Sequence, residues 1–121
     1  MEISVVIFIM LIHFLADFGL QTHEQSQKKS SSNKFLFYHV AVYSGIWFLA
    51  LCGHPYTDVN TNGILIFTFV TFVLHFCTDY VTSRIGKPFW ANQDFHNGFV
   101  VIGFDQLLHY IQLLTCWYLL F

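Results

Sequence analysis

The sequence predicts an all-α protein, a four-helix transmembrane bundle with up-down topology, and both its composition and its hydropathy pattern support this class. Hydrophobic residues make up 55% of the chain and charged residues 10%, and the mean hydropathy is +0.56. A soluble domain carries roughly 25% charged residues because its surface faces water. This composition excludes a disordered chain, a nucleic-acid-binding domain and a disulfide-rich secreted module, and leaves an integral membrane protein whose main partner is the lipid bilayer.

Four apolar stretches cover most of residues 1–121 and predict one transmembrane domain. They are residues 3–20, 35–53, 64–82 and 99–121. A helix rises about 1.5 Å per residue and the hydrocarbon core is about 30 Å thick, so each stretch is long enough to cross it. Backbone groups inside lipid must bond within the segment, which favours helices. The remaining residues are expected to form polar connecting loops, including a long loop at 83–98.

The basic residues predict the orientation of the bundle. All five lie in the first and third connectors, which share one face of an up-down bundle: Lys28, Lys29, Lys34, Arg84 and Lys87. Cytoplasmic loops carry the excess of Lys and Arg. We therefore expect a multi-pass protein of the inner (cytoplasmic) membrane, with both termini on the non-cytoplasmic side.

Ionisable residues inside the predicted spans are the main functional signal. An ionisable group at the bilayer centre costs roughly 2.5–3.5 kcal/mol. Six of the seven form three pairs with i,i+4 spacing, so that each pair shares one helix face. All seven fall in the cytoplasmic half of the spans and are expected to meet in one layer: His13, Asp17, His39, His75, Asp79, Asp105 and His109.

Imidazole and carboxylate groups together favour a divalent metal ion such as Zn, Mn or Fe. Seven candidates exceed the four ligands of tetrahedral zinc, so they predict either one octahedral ion or two ions about 3.5–4 Å apart. Without a cation, three carboxylates would carry −3 in a medium of low dielectric constant, which is unfavourable. Gln21, Tyr43 and Gln106 are predicted to orient the ligands through hydrogen bonds, and Arg84 either holds a phosphate headgroup or anchors the chain at the membrane surface.

The arrangement of these residues resembles a known family. HFLADFGLQ at 13–21, His39, HFCTDY at 75–80 followed by Ser83 and Arg84, and DQLLH at 105–109 resemble the small bacterial and phage integral membrane proteins of domain-of-unknown-function family 3307. The resemblance covers nearly the whole chain and implies that the seven His and Asp residues form the shared core. The family is loosely similar to membrane-bound metal-dependent hydrolases, and this similarity is an analogy that does not establish a shared mechanism.

The function expected from these observations is a membrane-embedded, metal-dependent hydrolase that acts on an amphiphilic or phosphate-containing substrate at the cytoplasmic leaflet. A bound ion would activate water, and Asp17, Asp79 or Asp105 would be the catalytic carboxylate. One alternative is a metal-ion or proton transporter, alone or as an oligomer, although the outer halves of the spans are nearly all apolar. A second alternative is a phage or accessory membrane protein that binds a host partner and contains a structural metal, and a purely structural polar network is a third.

Overall fold

The computed structural model describes residues 2–55, 57 and 60–121, and these ranges are helical without any strand. The elements are α1 (Ile3–Phe14), a π-helical segment (Leu15–Gly19), α2 (His23–Lys28), α3 (Asn33–Cys52), α4 (Thr61–Ala91) and α5 (Phe95–Leu120). The predicted all-α class is therefore confirmed. Helices α3, α4 and α5 are long and apolar enough to cross a membrane, whereas α1 and the π-helical segment together form a shorter apolar helix.

The connectors are more helical than the sequence predicted. The expected loop at 83–98 is wrong, because α4 continues to Ala91 and α5 already begins at Phe95. The 31 residues of α4 correspond to about 46 Å at about 1.5 Å per residue, so the helix extends well beyond an apolar layer about 30 Å thick. The first connector also contains α2, which begins with a capping box formed by Thr22 and Gln25.

Contacts join helices and connectors at both ends of the bundle. At the basic end, Lys87 Nζ donates to Ser31 Oγ (2.7 Å), which joins the first and third connectors as predicted. At the opposite end, Asn60 Nδ2 donates to the carbonyl oxygen of Leu120 (3.0 Å). Helix α4 packs between α3 and α5, and α1 packs against α3 and α5. The predicted loop at 54–63 includes residues 56, 58 and 59, which lie outside the described residues.

The distribution of polar and apolar side chains is inverted relative to that of a soluble protein. Large apolar side chains lie on the outside, such as Leu49 (70% exposed), Phe69 (69%) and Phe99 (64%). The interior is apolar at the end away from the basic residues, where Trp47 and Phe67 are fully buried. The rest of the interior holds histidine and aspartate side chains. Such an extensive apolar exterior is the kind of surface that a bilayer covers.

Candidate metal centre

Histidine and aspartate side chains from α1, the π-helical segment, α3, α4 and α5 meet inside the basic half of the bundle. Six of the seven predicted residues are buried: His13, Asp17, His39, His75, Asp79 and His109. The seventh, Asp105, has 13% of its side chain exposed. The structure therefore brings groups that are far apart in the sequence into one region.

The first group of potential ligands consists of Asp17, His39, His75 and Asp79. His39 Nε2 lies 3.1 Å from Asp17 Oδ1, 3.1 Å from His75 Nε2 and 3.4 Å from Asp79 Oδ2. His75 Nε2 lies 3.6 Å from Asp17 Oδ1 and 3.6 Å from Asp79 Oδ1. Metal–ligand bonds of about 2.0–2.1 Å place the atoms around a tetrahedral ion about 3.3–3.4 Å apart. The observed separations bracket that value, with Asp79 reaching His39 through Oδ2 and His75 through Oδ1, so the four residues lie close enough together to hold one cation.

The second group consists of Asp17, Asp105 and His109. His109 Nε2 lies 3.4 Å from Asp105 Oδ2 and 3.1 Å from Asp79 Oδ1, which links the second group to the first. Thr82 donates a hydrogen bond to Asp105 Oδ1 and fixes that carboxylate. Because Asp17 belongs to both groups, its two oxygens can serve two neighbouring ions, as in sites with paired metals.

Asp17 owes its position to the π-helical segment. The backbone N–H of Leu20 donates to the carbonyl oxygen of Leu15 (2.8 Å), an i→i+5 bond. Few helices contain such a π turn, and many of the known examples lie at functional sites. The segment buries Ala16 and Asp17 and leaves the residues on either side of them exposed. The sequence analysis extended the first span to residue 20 as a regular helix, since hydropathy does not distinguish a π turn from an α turn.

His13 supports the centre and lies outside both groups of potential ligands among the described residues. Its Nε2 lies 2.7 Å from Gln106 Oε1 and its Nδ1 lies 2.7 Å from Tyr43 Oη. Since an amide oxygen only accepts, the neutral imidazole donates from Nε2 and accepts the Tyr43 hydroxyl at Nδ1. The Gln106 amide nitrogen in turn donates to Asp17 Oδ2 (2.9 Å) and Asp105 Oδ2 (3.1 Å). His13 is thus linked to two carboxylates through Gln106, and both Tyr43 and Gln106 contact its imidazole.

Lys29 contacts the centre, which the sequence did not predict. Its Nζ donates to Asp79 Oδ2 (2.8 Å), and 19% of the lysine side chain is exposed. Burial by itself lowers the pKa of Lys29, but the Asp79 and Asp17 carboxylates outweigh burial and raise that pKa above its ordinary value. One sequence signal was available, because Glu24 pairs with Lys28 at i,i+4 on the exposed side of α2, which leaves Lys29 on a different side.

The charge of Lys29 changes the electrostatics of the centre. Three carboxylates carry −3, and the ammonium group bound to Asp79 reduces this to −2. One divalent ion would then leave the centre neutral if the histidines stay neutral. The net negative charge of the centre is thus smaller than the sequence indicated. With the Lys29 ammonium in place, this charge is balanced better by one divalent ion than by two.

A cavity of about 510 Å³ lies between the centre and the basic end of the bundle. Two cationic side chains, Lys29 and Lys87, line it together with the carboxylates of the centre. Gln21 Oε1 and Ser83 Oγ, whose side chains also line the cavity, are buried and make no hydrogen bond within the described part of the chain. These atoms and the two lysines are available to a polar ligand.

Arg84 lies away from this cavity. Its guanidinium stacks over the ring of Tyr80 (3.7 Å to the centroid) and donates to Asn33 Oδ1 (2.6 Å). Its role as a membrane anchor or as a phosphate ligand stays a prediction. Lys29 and Lys87 are the basic residues that line the cavity.

The fold and the site define a class of helical proteins in which long apolar helices enclose buried His and Asp side chains able to hold a metal ion. The chain belongs to the family described as protein of unknown function DUF3307, whose sequence profile matches residues 5–121. No curated protein and no solved structure matches the chain. The family membership covers almost the whole chain and includes every residue of the candidate metal centre.

Proposed function

We propose that this protein is a metal-dependent hydrolase of the cytoplasmic membrane that acts on an amphiphilic, phosphate-containing substrate. The observation that carries the proposal is the position of the metal centre at the inner end of a cavity that two lysines line. The apolar exterior and the three long apolar helices support insertion in a membrane. The positive-inside rule then places the basic end, the cavity and the site at the cytoplasmic leaflet.

The residues of the centre have different roles in this proposal. A divalent ion held there would supply an activated water at neutral pH and polarise a phosphoryl oxygen. Asp17, His39, His75 and Asp79 would hold the ion, because each offers a ligand atom within 4.8 Å of those of the other three. His109 and the shared Asp17 hold a second ion if two are bound.

Asp105 is the best candidate for a general base. It lines the cavity and is the most exposed of the three carboxylates. Asp105 takes a proton from the attacking water, the water oxygen forms a bond to phosphorus, and the bond from phosphorus to the leaving oxygen breaks. Asp105 then gives that proton to the leaving oxygen, so that one water molecule is added across the cleaved bond and Asp105 returns to its carboxylate form. Lys29 and Lys87 bind the phosphate oxygens by charge-assisted hydrogen bonds.

Transport is the less favoured alternative. The interior beyond the site is filled by apolar side chains such as Trp47, Phe67 and Leu113, all fully buried. The hydrogen bond from Gln112 to Thr71 (3.0 Å) is a polar contact in that direction. A path for ions needs polar groups along its length, and this half of the interior does not favour one.

Metal content and hydrolysis test the proposal on the same preparations. Protein purified without chelators should contain one or two divalent ions per chain, and it should release phosphate from a lipid phosphate ester. Asp17→Asn should lower both the metal content and the rate of hydrolysis, because Asp17 belongs to both groups of potential ligands. Asp105→Asn should lower hydrolysis far more than metal content at the first group.

Asp94→Asn is the matched control for these variants. Asp94 caps α5 by accepting the N–H of Asn97 (3.2 Å), and asparagine can also serve as an N-cap. This variant should keep both metal and activity. A wild-type protein that binds no divalent ion in metal-supplemented buffer, or a metal-loaded protein without hydrolytic activity on lipid and soluble phosphate esters, would refute the hydrolase.

A further inference from the structure

The cavity is bounded on one side by a seam between the π-helical segment and α5. Helix α1 contacts α5 at the other end of the bundle. Among the described residues, however, no Cα of the π-helical segment or of α2 lies within 8 Å of a Cα of α5. The helices therefore diverge toward the basic end, and a side chain, that of Gln106, crosses the gap to reach Asp17.

The two edges of this seam are apolar and partly exposed. Phe18 on one edge is 46% exposed and Ile102 on the other is 37% exposed. Both side chains also line the cavity. Exposed apolar side chains at the rim of a cavity mark an opening, so the seam connects the cavity with the exterior of the bundle.

The inside of the cavity has the opposite character. Lys29 and Lys87 provide positive charge, and Ser83 Oγ is a buried hydroxyl without a hydrogen-bond partner in the described part of the chain. A buried polar atom without a partner is unfavourable, and a ligand that bonds to it removes this cost. The carboxylates of the centre also line the cavity, and a divalent ion held there would offset their charge. An apolar seam that leads to a polar cavity with two lysines and an unsatisfied hydroxyl matches a molecule with an acyl chain and an anionic headgroup.

We propose that the ligand is a membrane lipid with a phosphate headgroup that enters sideways from the bilayer through this seam. Its acyl chain lies between Phe18 and Ile102, and its phosphate lies between Lys29 and Lys87. The inference rests on the proposed function for the reaction that follows, but the binding step itself needs no turnover. The same phosphate chemistry could come from a soluble ester entering from the aqueous side, and the experiment separates the two sources.

Photolabelling tests the route. The full chain is reconstituted in phosphatidylcholine vesicles that contain phosphatidic acid with a diazirine on its acyl chain, and adducts are mapped by mass spectrometry. Labelling of the seam, at Phe18 and Ile102, should exceed that of Phe37 and Leu107 at least fivefold. These controls are 51% and 53% exposed and do not line the cavity. Non-specific contact with lipid would therefore label the controls as strongly as the seam residues.

Filling the seam supplies the second measurement. Ile102→Trp should lower labelling at Phe18 at least fivefold, whereas Leu107→Trp on the same helix should leave it unchanged. Unlabelled phosphatidic acid should compete with the label more strongly than a water-soluble phosphate monoester at equal concentration. Helicity measured by circular dichroism confirms that both variants fold.

The outcomes separate this inference from the hydrolase. Uniform labelling of exposed residues, or seam labelling that Ile102→Trp does not change, would overturn the lateral route even if lipid is hydrolysed. Stronger competition by the soluble ester would assign the site to an aqueous ligand and would also overturn it. Specific seam labelling without bound metal or hydrolysis would support the lipid route and remove the hydrolase.

Discussion

Replacing Lys29 with methionine tests the electrostatics of the centre. The substitution keeps a long apolar side chain but removes the ammonium group that lies 2.8 Å from Asp79 Oδ2. Breaking a buried ion pair by removing one partner costs about 3–5 kcal/mol, because the other charge stays buried. Since 19% of the Lys29 side chain is exposed, we expect the lower end, about 3 kcal/mol, in metal-free protein.

A divalent ion should restore the lost stability. Ligand binding to the folded state stabilises by about 2.7 kcal/mol at 100 times Kd and by about 4.1 kcal/mol at 1,000 times Kd. A deficit of about 3 kcal/mol is therefore offset at a free metal concentration about 160 times Kd. The variant should also bind the ion more tightly than the wild type does, because its centre carries −3 instead of −2.

Thermal unfolding in detergent, with chelator and with added Zn²⁺ or Mn²⁺, measures both effects. Lys28→Met is the matched control, because its ion pair with Glu24 has side chains that are 51% and 59% exposed, and such pairs contribute about 0–1 kcal/mol. Equal unfolding temperatures for Lys29→Met and Lys28→Met in chelator would refute the reasoning. A deficit that no divalent ion restores would refute the metal centre.

Alkaline pH provides a further check on the same pair. The pKa of Lys29 is raised in the folded protein above its ordinary value of 10.5. Its stabilising contribution is therefore complete below that ordinary pKa and is lost as the pH rises through the folded pKa. The stability difference between wild type and Lys29→Met, measured in chelator, should be constant at neutral pH and shrink above about pH 10.5. A difference that grows with pH would contradict the assigned ion pair.

Two further substitutions test the packing that positions the site. Tyr43→Phe leaves His13 Nδ1 without its hydrogen-bond donor and should cost about 1–3 kcal/mol in unfolding free energy, whereas Tyr38→Phe, at a side chain 49% exposed, should have little effect. Gly98→Val should destabilise the turn between α4 and α5 by about 1–3 kcal/mol, because a Cβ at this position would lie 2.9 Å from the Trp90 ring. Gly103→Val has open space around the new side chain and is its control, so equal losses in the two glycine variants would contradict the assigned clash.

Hydropathy predicted where the chain is apolar better than where its helices end. The second span was predicted at 35–53, and α3 runs from Asn33 to Cys52, because a polar cap and a glycine lie next to the apolar stretch. The third span was predicted to end at residue 82, but α4 continues to Ala91. Polar residues after an apolar stretch indicate where a helix leaves the apolar layer. They do not indicate where the helix ends, because a helix can continue in water through polar residues.

The i,i+4 pairs predicted which helix faces meet, but not which atoms face a metal ion. His13 and His75 have the same spacing to an aspartate, yet His13 bonds to Tyr43 and Gln106, whereas His75 faces two carboxylates. The difference depends on side chains from other helices, which sequence spacing does not report. Lys29 was missed for a related reason, since a long side chain in a connector can reach a buried carboxylate.

The hydrogen-bond pattern of the centre argues against a network that only holds helices together. His39 Nε2 and His75 Nε2 lie 3.1 Å apart, so both cannot carry protons that point at each other. If His39 donates to Asp17 Oδ1, His75 Nε2 is left 3.6 Å from oxygens of Asp17 and Asp79, which is too far for a good hydrogen bond.

The other ring nitrogen of His75 does not compensate, because Nδ1 is buried and has no hydrogen-bond partner within the described residues. Buried polar groups that serve only stability are normally satisfied, and each exception needs an explanation. A cation between the two Nε2 atoms and the carboxylates would replace the competing protons by bonds to all four groups, but it would leave Nδ1 without a partner. The close approach of the two Nε2 atoms, rather than the Nδ1 atom, therefore favours a metal-binding centre over a structural network.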